Sequence, residues 1–366
     1  MIGMLDVYNY GVRGDGVSDD TAALQAALNA AFGMGTGTIT QTAQRRIVLP
    51  PGKFVVKGPG LTGKNWFGGC LRGSGRFATM IQNADGGPVI TTDGCQYMRF
   101  EDMQLDGAGG TGVLFDLDWK GIGTALQSNT FINMYFSSAG IGTRIANDGN
   151  MGSENLFLNC FFGNCSITGL QVVGFNALQQ TIIGGNFQTC GKGIQLVNGV
   201  ANVIHGVGFQ QSSIADISIE AASSNTMSVV GCRTESPNFI SNYSGHTMTI
   251  SACHQTTSGP RGLFYAGNGG AVHMSGCLFD GQVSPAGWSR FSMQSCYAVN
   301  VVNPGDWLVK DATTWWYIPN NQFPLNIELE NIVSSFANGS LDQAIGKQRL
   351  FTTDGRTVTT QNYMVQ

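Results

Sequence analysis

The chain is 366 residues long and only 11% of them are charged, against roughly 25% in ordinary globular chains; a helical bundle or coiled coil, which needs charged exposed faces, is thereby excluded. Glycine, at 52 residues, is about twice as frequent as the usual ~7%, while 42% hydrophobic and 10% aromatic content excludes a disordered chain. A net charge of −4 argues against a nucleic-acid surface, which needs clustered Lys and Arg, and without any run of about 18 apolar residues no membrane insertion is expected.

The N-terminal stretch, Met1 to Gly16, has no basic segment followed by an apolar one, so no signal peptide is expected. Nine cysteines, an odd number, then point to reduced thiols. Ser18 and Asp19 offer capping oxygens, and Asp20 adds negative charge to the first turn of a helix. Leu24, Ala27, Leu28 and Ala31 follow on one apolar face, and the glycine-rich stretch from Gly33 to Gly37 ends the helix. Arg46 to Val56 reads as short β runs around a Pro-Gly turn.

Beyond about residue 95 the sequence repeats weakly. Segments of alternating apolar residues end in a small residue or Cys and then a polar turn. They are Asn155–Cys160, Gln180–Gly185, Asn202–Val207, Thr226–Cys232, Thr247–Cys253, Ala271–Cys277 and Ser289–Cys296, with Met98–Met103 and Phe131–Phe136 as earlier members. Cys232, Cys253, Cys277 and Cys296 are 21, 24 and 19 residues apart. Second short runs, Gly193–Val197 and Asp216–Ile219, lie between them. A period of about 22 residues of short period-2 strands is a solenoid signature, and about three short strands fill one coil at ~3.3 Å per residue. The expected fold is all-β, a right-handed parallel β-helix with a short N-terminal capping helix. The expected divisions are a cap over 1–45, rungs over 46–300, and an aromatic-rich end over 301–366 that serves as a cap or trimerisation region. Inward cysteines on successive rungs predict a ladder of buried thiols. No C-x-x-C pair is present and the four His are scattered, so no metal and no other cofactor is expected.

The stretch Asp6-Val-Tyr-Asn-Tyr-Gly-Val-Arg-Gly-Asp-Gly-Val-Ser-Asp-Asp-Thr-Ala-Ala-Leu-Gln-Ala-Ala-Leu28 resembles the opening of the pectate-lyase-like β-helix superfamily. Ile47 to Val55 and Leu71 to Ile81 resemble its usual continuation, so the likeness covers about the first quarter of the chain. The acidic run Gly14 to Asp20 reads as a structural feature of that opening. The superfamily includes pectin hydrolases, lyases, mannuronan epimerases and phage tailspikes. The Asn-Thr-Asp, Asp-Asp and Gly-His-Gly of polygalacturonases have no counterpart here, since Asp19-Asp20 belongs to the entry helix and His205 sits in Ile-His-Gly-Val; the Asp-Pro-His-Glu of the epimerases is also absent. The resemblance is closest to a bacteriophage tailspike depolymerase. It implies a homotrimer on the virion tail, or extracellular after host lysis, that cleaves bacterial capsular or exopolysaccharide.

Carboxylates in the rungs are scarce. With Cys232 inward, alternation sends Arg233 and Glu235 outward. A turn column of Thr189, Gln211, Glu235, Thr256 and Asp280 places Glu235 and Asp280 two rungs apart, ~9.6 Å by rung spacing, near the ~6.5–9.5 Å of inverting glycosidases. Glu235 beside Arg233 suits the base and Asp280 the acid. The plainer alternative is a surface ion pair and an ordinary turn Asp. Arg233, His254, Asp216 and Glu220, the last two also outward by alternation, are candidate substrate contacts, as are Trp315 and Trp316, whose flat faces stack on sugar rings or plug the solenoid's end. A uronate lyase and a non-catalytic β-helical adhesin are the competing functions.

Overall fold

The computed structural model describes residues 4–33, 45–120, 125–147, 151–220, 226–242 and 247–256, and the segments 264–266, 271–279, 283–284, 290–294, 297–298 and 316–317. The chain forms two compact units, Met1–Val203 and Ile204–Gln366.

In the first unit one parallel ladder runs through Met4–Leu5, Arg46–Val48, Cys70–Arg72, Arg99–Glu101, Thr130–Ile132, Leu156–Leu158 and Gln180–Ile183. A second runs through Gly52–Val56, Thr79–Asn83, Gln104–Asp106, then the first halves of Tyr135–Ile145 and Phe161–Val172, to Asn186–Gln188. A third takes Leu61–Phe67, Ile90–Gln96 and Val113–Asp118, then the second halves of the same two long strands, to Lys192–Leu196. Every partner lies one coil away in sequence and every pair is parallel, which is the connectivity of a β-helix. In the second unit the strands Thr226–Val230, Thr247–Ser251, Ala271–Ser275 and Arg290–Gln294 pair in sequence order; these are the repeats visible in the sequence.

The interior follows from identical side chains stacking at the rung spacing of ~4.8 Å. Phe100, Phe131 and Phe157 stack at 5.2 and 4.6 Å, and Phe136, Phe162 and Phe187 at 4.7 and 4.5 Å. Buried amides form a second ladder. Asn129 Nδ2 donates to Asn155 Oδ1 at 3.0 Å, and Asn155 Nδ2 to Gln180 Oε1 at 3.0 Å. The described cysteines are buried. Cys253 and Cys277, for example, donate to the carbonyls of Ser251 and Ser275 at the ends of their own strands and of Val229 and Ile250 on the rung before. Cys296 lies outside the described residues.

The helix spans Thr21–Phe32 and buries Leu24, Ala27, Leu28, Ala31 and Phe32 over Ile47, Leu49, Leu61, Leu71 and Ile81. Gln25 pairs like a strand with Thr62, accepting from its N–H at 2.7 Å and donating to its carbonyl at 2.8 Å. The acidic run has a structural job, though not the one expected at each position. Asp20 is the N-cap residue but makes no side-chain cap bond. It is buried and accepts instead from the N–H groups of Arg13 and Gly14 at 2.7 and 3.0 Å. Asp19 takes the capping role through the Thr21 N–H at 2.9 Å. Asp15 closes its turn on Val17, Ser18 and the Ser18 hydroxyl, and these hydrogen bonds hold its pKa down at about 2.

Candidate functional site

The predicted catalytic pair is described only by half. Glu235 is half-buried and Arg233 exposed, and Arg233 donates to Glu235 at 2.6 Å. Alternation therefore holds across Cys232–Glu235. The register differs from expectation by one residue: Gly208 pairs with Arg233 and Phe209 with Thr234, so Glu235 follows Gln210, not Gln211. Gln211 is itself in the left-handed region, at φ 56°, which shows it belongs to the turn. His254 is exposed, in the same row as Arg233 and Leu278. Asp280 and Trp315 lie outside the described residues. Trp316 is in the strand Trp316–Tyr317, in register with Phe291.

The alternation argument fails at Asp216. Glu220 is exposed, within reach of the Ser218 hydroxyl at 3.2 Å, but Asp216 is completely buried. All five residues of its strand, Ala215–Ile219, are buried, and its carboxylate accepts a hydrogen bond from the Thr234 hydroxyl. It is no surface contact. Burial pushes its pKa up to about 7, against the partial relief of the Ser212, Ser236 and Thr234 hydroxyls.

A second outward face, in the first unit, assembles groups that no local motif announces. The register aligns Met80, Gln104, Tyr135, Phe161 and Asn186 in one row, and Gln82, Asp106, Ser137, Gly163 and Gln188 in the next outward row. Gln104 and Asp106 form the floor, 8% and 7% exposed. The Asp106 carboxylate accepts from Ser137 Oγ at 2.6 Å, Gln82 Nε2 at 2.7 Å and the Ala108 N–H at 2.9 Å. Gln104 Nε2 in turn donates to Ser137 Oγ at 2.8 Å. These contacts fix the carboxylate in one orientation.

Tyr135 crosses from the first row to the second. A Cβ at Gly163 would come within 2.9 Å of its hydroxyl, so only glycine leaves the phenol this resting place. Desolvation, and less strongly Cys165 and Asp106, raise the phenol's pKa, which keeps it a proton donor. Tyr135 sits between Phe77 and Phe161, ring centroids at 5.8 and 5.0 Å. Phe77 is 76% exposed, and Arg76 lies 5.3 Å from its ring centre. A fixed carboxylate, a protonated phenol, an exposed and a half-buried aromatic ring and a guanidinium thus share one face. Such a set can stack a flat ligand and move protons at it. Only strand register could have revealed it, since Gln82, Asp106 and Ser137 are far apart in sequence. Among the described residues no cluster of His, Cys, Asp and Glu is arranged to hold a metal ion.

Residues 4–109, which include Arg76, Phe77, Gln82, Gln104 and Asp106, match the family described as rhamnogalacturonase A/epimerase, pectate lyase-like. The chain is a parallel β-helix whose N-terminal part carries a pectate-lyase-like domain. Mannuronan C5-epimerase AlgE5 of Azotobacter vinelandii is 36% identical over 118 residues, 28% of this chain. The β-helix spans only 11% of that epimerase's length. The tailspike of Acinetobacter phage vB_ApiP_P1 superposes with a TM-score of 0.54 at 16% identity, over 100% of this chain and 64% of the tailspike. The catalytic unit of a GH87 α-1,3-glucanase from Streptomyces thermodiastaticus gives 0.58 at 13% identity, over 88% and 69%. ORF18 of Geobacillus virus E2 gives 0.57 at 14%, over 88% and 62%. At these identities the likeness is one of fold.

Proposed function

We propose that this β-helix is a polysaccharide depolymerase of the tailspike kind, acting on a bacterial surface glycan along the outer face around Asp106 and Tyr135. The observation that carries the reading is the fixed Asp106 carboxylate beside a phenol kept protonated, flanked by the exposed Phe77 and the half-buried Phe161 rings. In hydrolysis, Tyr135 donates its proton to the leaving glycosidic oxygen. Asp106 accepts a proton from the water that attacks the anomeric carbon. Phe77 and Phe161 offer flat surfaces to the sugar rings on either side. The epimerase relatives and the glucanase and tailspike neighbours are consistent with a glycan substrate.

The test is turnover of purified capsular and exopolysaccharides by Asp106→Asn and Tyr135→Phe. Each is expected to lose ~10²–10⁴-fold in rate with folding and glycan binding retained. Near wild-type cleavage by both would overturn the site. Products absorbing as unsaturated sugar ends would overturn the hydrolytic step and leave elimination at the same pair.

A second reading keeps the reaction and moves it to Glu235, favoured by its 2.6 Å pairing with Arg233 on an open strand face. There Glu235 is the base and Asp280 the acid, with Arg233 and His254 contacting the glycan. Glu235→Gln and Asp280→Asn would then abolish cleavage while the Asp106 and Tyr135 variants retain it.

A further inference from the structure

One corner of the first unit departs from its neighbours. Between the first and second ladders the chain turns in two residues at four successive rungs, 102–103, 133–134, 159–160 and 184–185. Between Cys70–Arg72 and Thr79–Asn83 the same corner takes six, 73–78. The extra residues form an arm over the rungs that follow. Its base is pinned: Ser74 Oγ donates to the Leu49 carbonyl, the Ser74 N–H to Thr79 Oγ1 and the Gly75 N–H to the Asp102 carbonyl, each at 2.9 Å. Its tip reaches further. Phe77 lies against Tyr135, two rungs on. Arg76 Nη1 donates to the carbonyl of Asn159, three rungs on, at 3.4 Å.

Arg72, Arg99, Arg144 and Arg233 each pair with a carboxylate. Arg76 pairs with none among the described residues. Its half-buried guanidinium makes only the long bond to Asn159 and the approach to the Phe77 ring. The carboxylates of the adjoining rungs are already engaged. Arg99 pairs with Glu101. Arg72 Nε and Asn133 Nδ2 donate to Asp102 at 2.9 and 3.1 Å. Asp106 has its own three donors. A guanidinium carries five N–H donors in a planar fork, so most of those of Arg76 are uncommitted. A fork of this kind takes a carboxylate through two parallel hydrogen bonds, and the exposed Phe77 ring beside it takes the flat face of a sugar.

We propose that the glycan held at the Asp106–Tyr135 face is acidic and that Arg76 selects it, binding the carboxylate of the sugar residue that stacks on Phe77. The inference rests on the reading of that face as the glycan site and adds the charge of its substrate. A neutral glycan leaves the guanidinium without the partner it is shaped for. A carboxylate placed instead over the second ladder meets the Asp106 carboxylate, and like charges oppose it. Arg76 therefore fixes both which glycan binds and where its charged residue lies.

Paired substrates test this: a hexuronate homopolymer and a capsule bearing pyruvate ketals, each used native and after chemical reduction of its carboxyl groups to alcohols. The two pairs distinguish the sources of the carboxylate. Wild type is expected to favour the native form of one pair by about 10–100-fold in kcat/KM. Arg76→Gln is expected to lose that factor on the native polymer and to treat both forms alike, with kcat little changed. Arg76→Lys, which keeps the charge without the fork, should fall between them. Phe77→Ala should weaken both forms equally. Affinity electrophoresis in the same polymers reads the preference in binding, whether or not a polymer is cut. Equal handling of native and reduced forms by wild type overturns the proposal, as does retardation by neither acidic polymer. So does an unchanged preference in Arg76→Gln with its β-sheet circular dichroism intact; should that variant fail to fold, the wild-type comparison decides. Failure of the site itself reads differently, as undiminished cleavage by Asp106→Asn and Tyr135→Phe.

Discussion

Two aspartates, Asp106 and Asp216, show what one residue's neighbours decide. Both are at most 7% exposed. Three donors converge on Asp106 from its own rung and the rungs on either side. Asp216 is enclosed, with the hydroxyls of Ser212, Ser236 and Thr234 only partly offsetting its loss of water. The first is held as an oriented acceptor beside open solvent, the second as a buried acid. Neither environment was legible locally. Gln104-Leu-Asp106 reads as an ordinary strand end, and alternation gives no sign that Asp216 is covered, since all five residues of its strand are buried. Glu235 and Arg233 were legible, since no turn interrupts the count from Cys232. Ser137 is the residue on which Asp106 depends most directly. Ser137→Ala would leave Asp106 Oδ2 and the Gln104 amide each short of a partner, at about 1–3 kcal/mol. Denaturant midpoints are expected to fall accordingly. Turnover is expected to fall by up to about 100-fold through misplacement of the carboxylate, with glycan affinity little changed. A kinetic split of that kind would separate positioning from a purely structural role.

At the scale of the strand and turn, the sequence was far more legible. The segments Thr226–Cys232, Thr247–Cys253 and Ala271–Cys277 predicted strands that pair residue for residue, Met227 with Met248 with Val272. This works because a rung has one inward pattern and its neighbour must match it. The corner after each of these strands needs a left-handed residue. Asp102, Asn133, Asn159 and Gly184 supply it in the first unit, and Gly206, Gly231, Ala252 and Gly276 in the second. Ala252, at φ 51°, is the strained member. A Cβ at Gly231 would meet only the His205 ring at 3.9 Å, so conformation alone sets its cost. Gly231→Ala is expected to destabilise by about 1–2 kcal/mol, and Ala252→Gly to be neutral or mildly stabilising. Chemical denaturation of the two variants measures both. The amide ladder has a larger stake. Asn155→Leu would strand the Asn129 N–H and the Gln180 Oε1, at about 1–3 kcal/mol for each group left unpaired. A loss of several kcal/mol, read from the same experiment, is expected.

For the whole molecule the scarcity of charge becomes an argument about assembly. With 11% of residues charged, the chain carries few charges to spread over its surface. Ile167 and Phe175 are 47% and 65% exposed in the first unit, and Ile214 is 52% exposed in the second. Such a surface carries little repulsion between copies, and scattered exposed apolar residues are what an obligate interface would cover. We therefore expect a homotrimer, consistent with a tailspike-like depolymerase. Light scattering at micromolar protein is expected to give three times the 38.8 kDa chain mass. Ile167→Lys and Phe175→Lys are predicted to lower that mass while leaving the β-sheet circular dichroism unchanged. A clean single-chain mass for the wild type would count against the trimer, and it would also require the glycan site to work within one subunit, as the single-chain geometry of Asp106, Ser137 and Tyr135 permits.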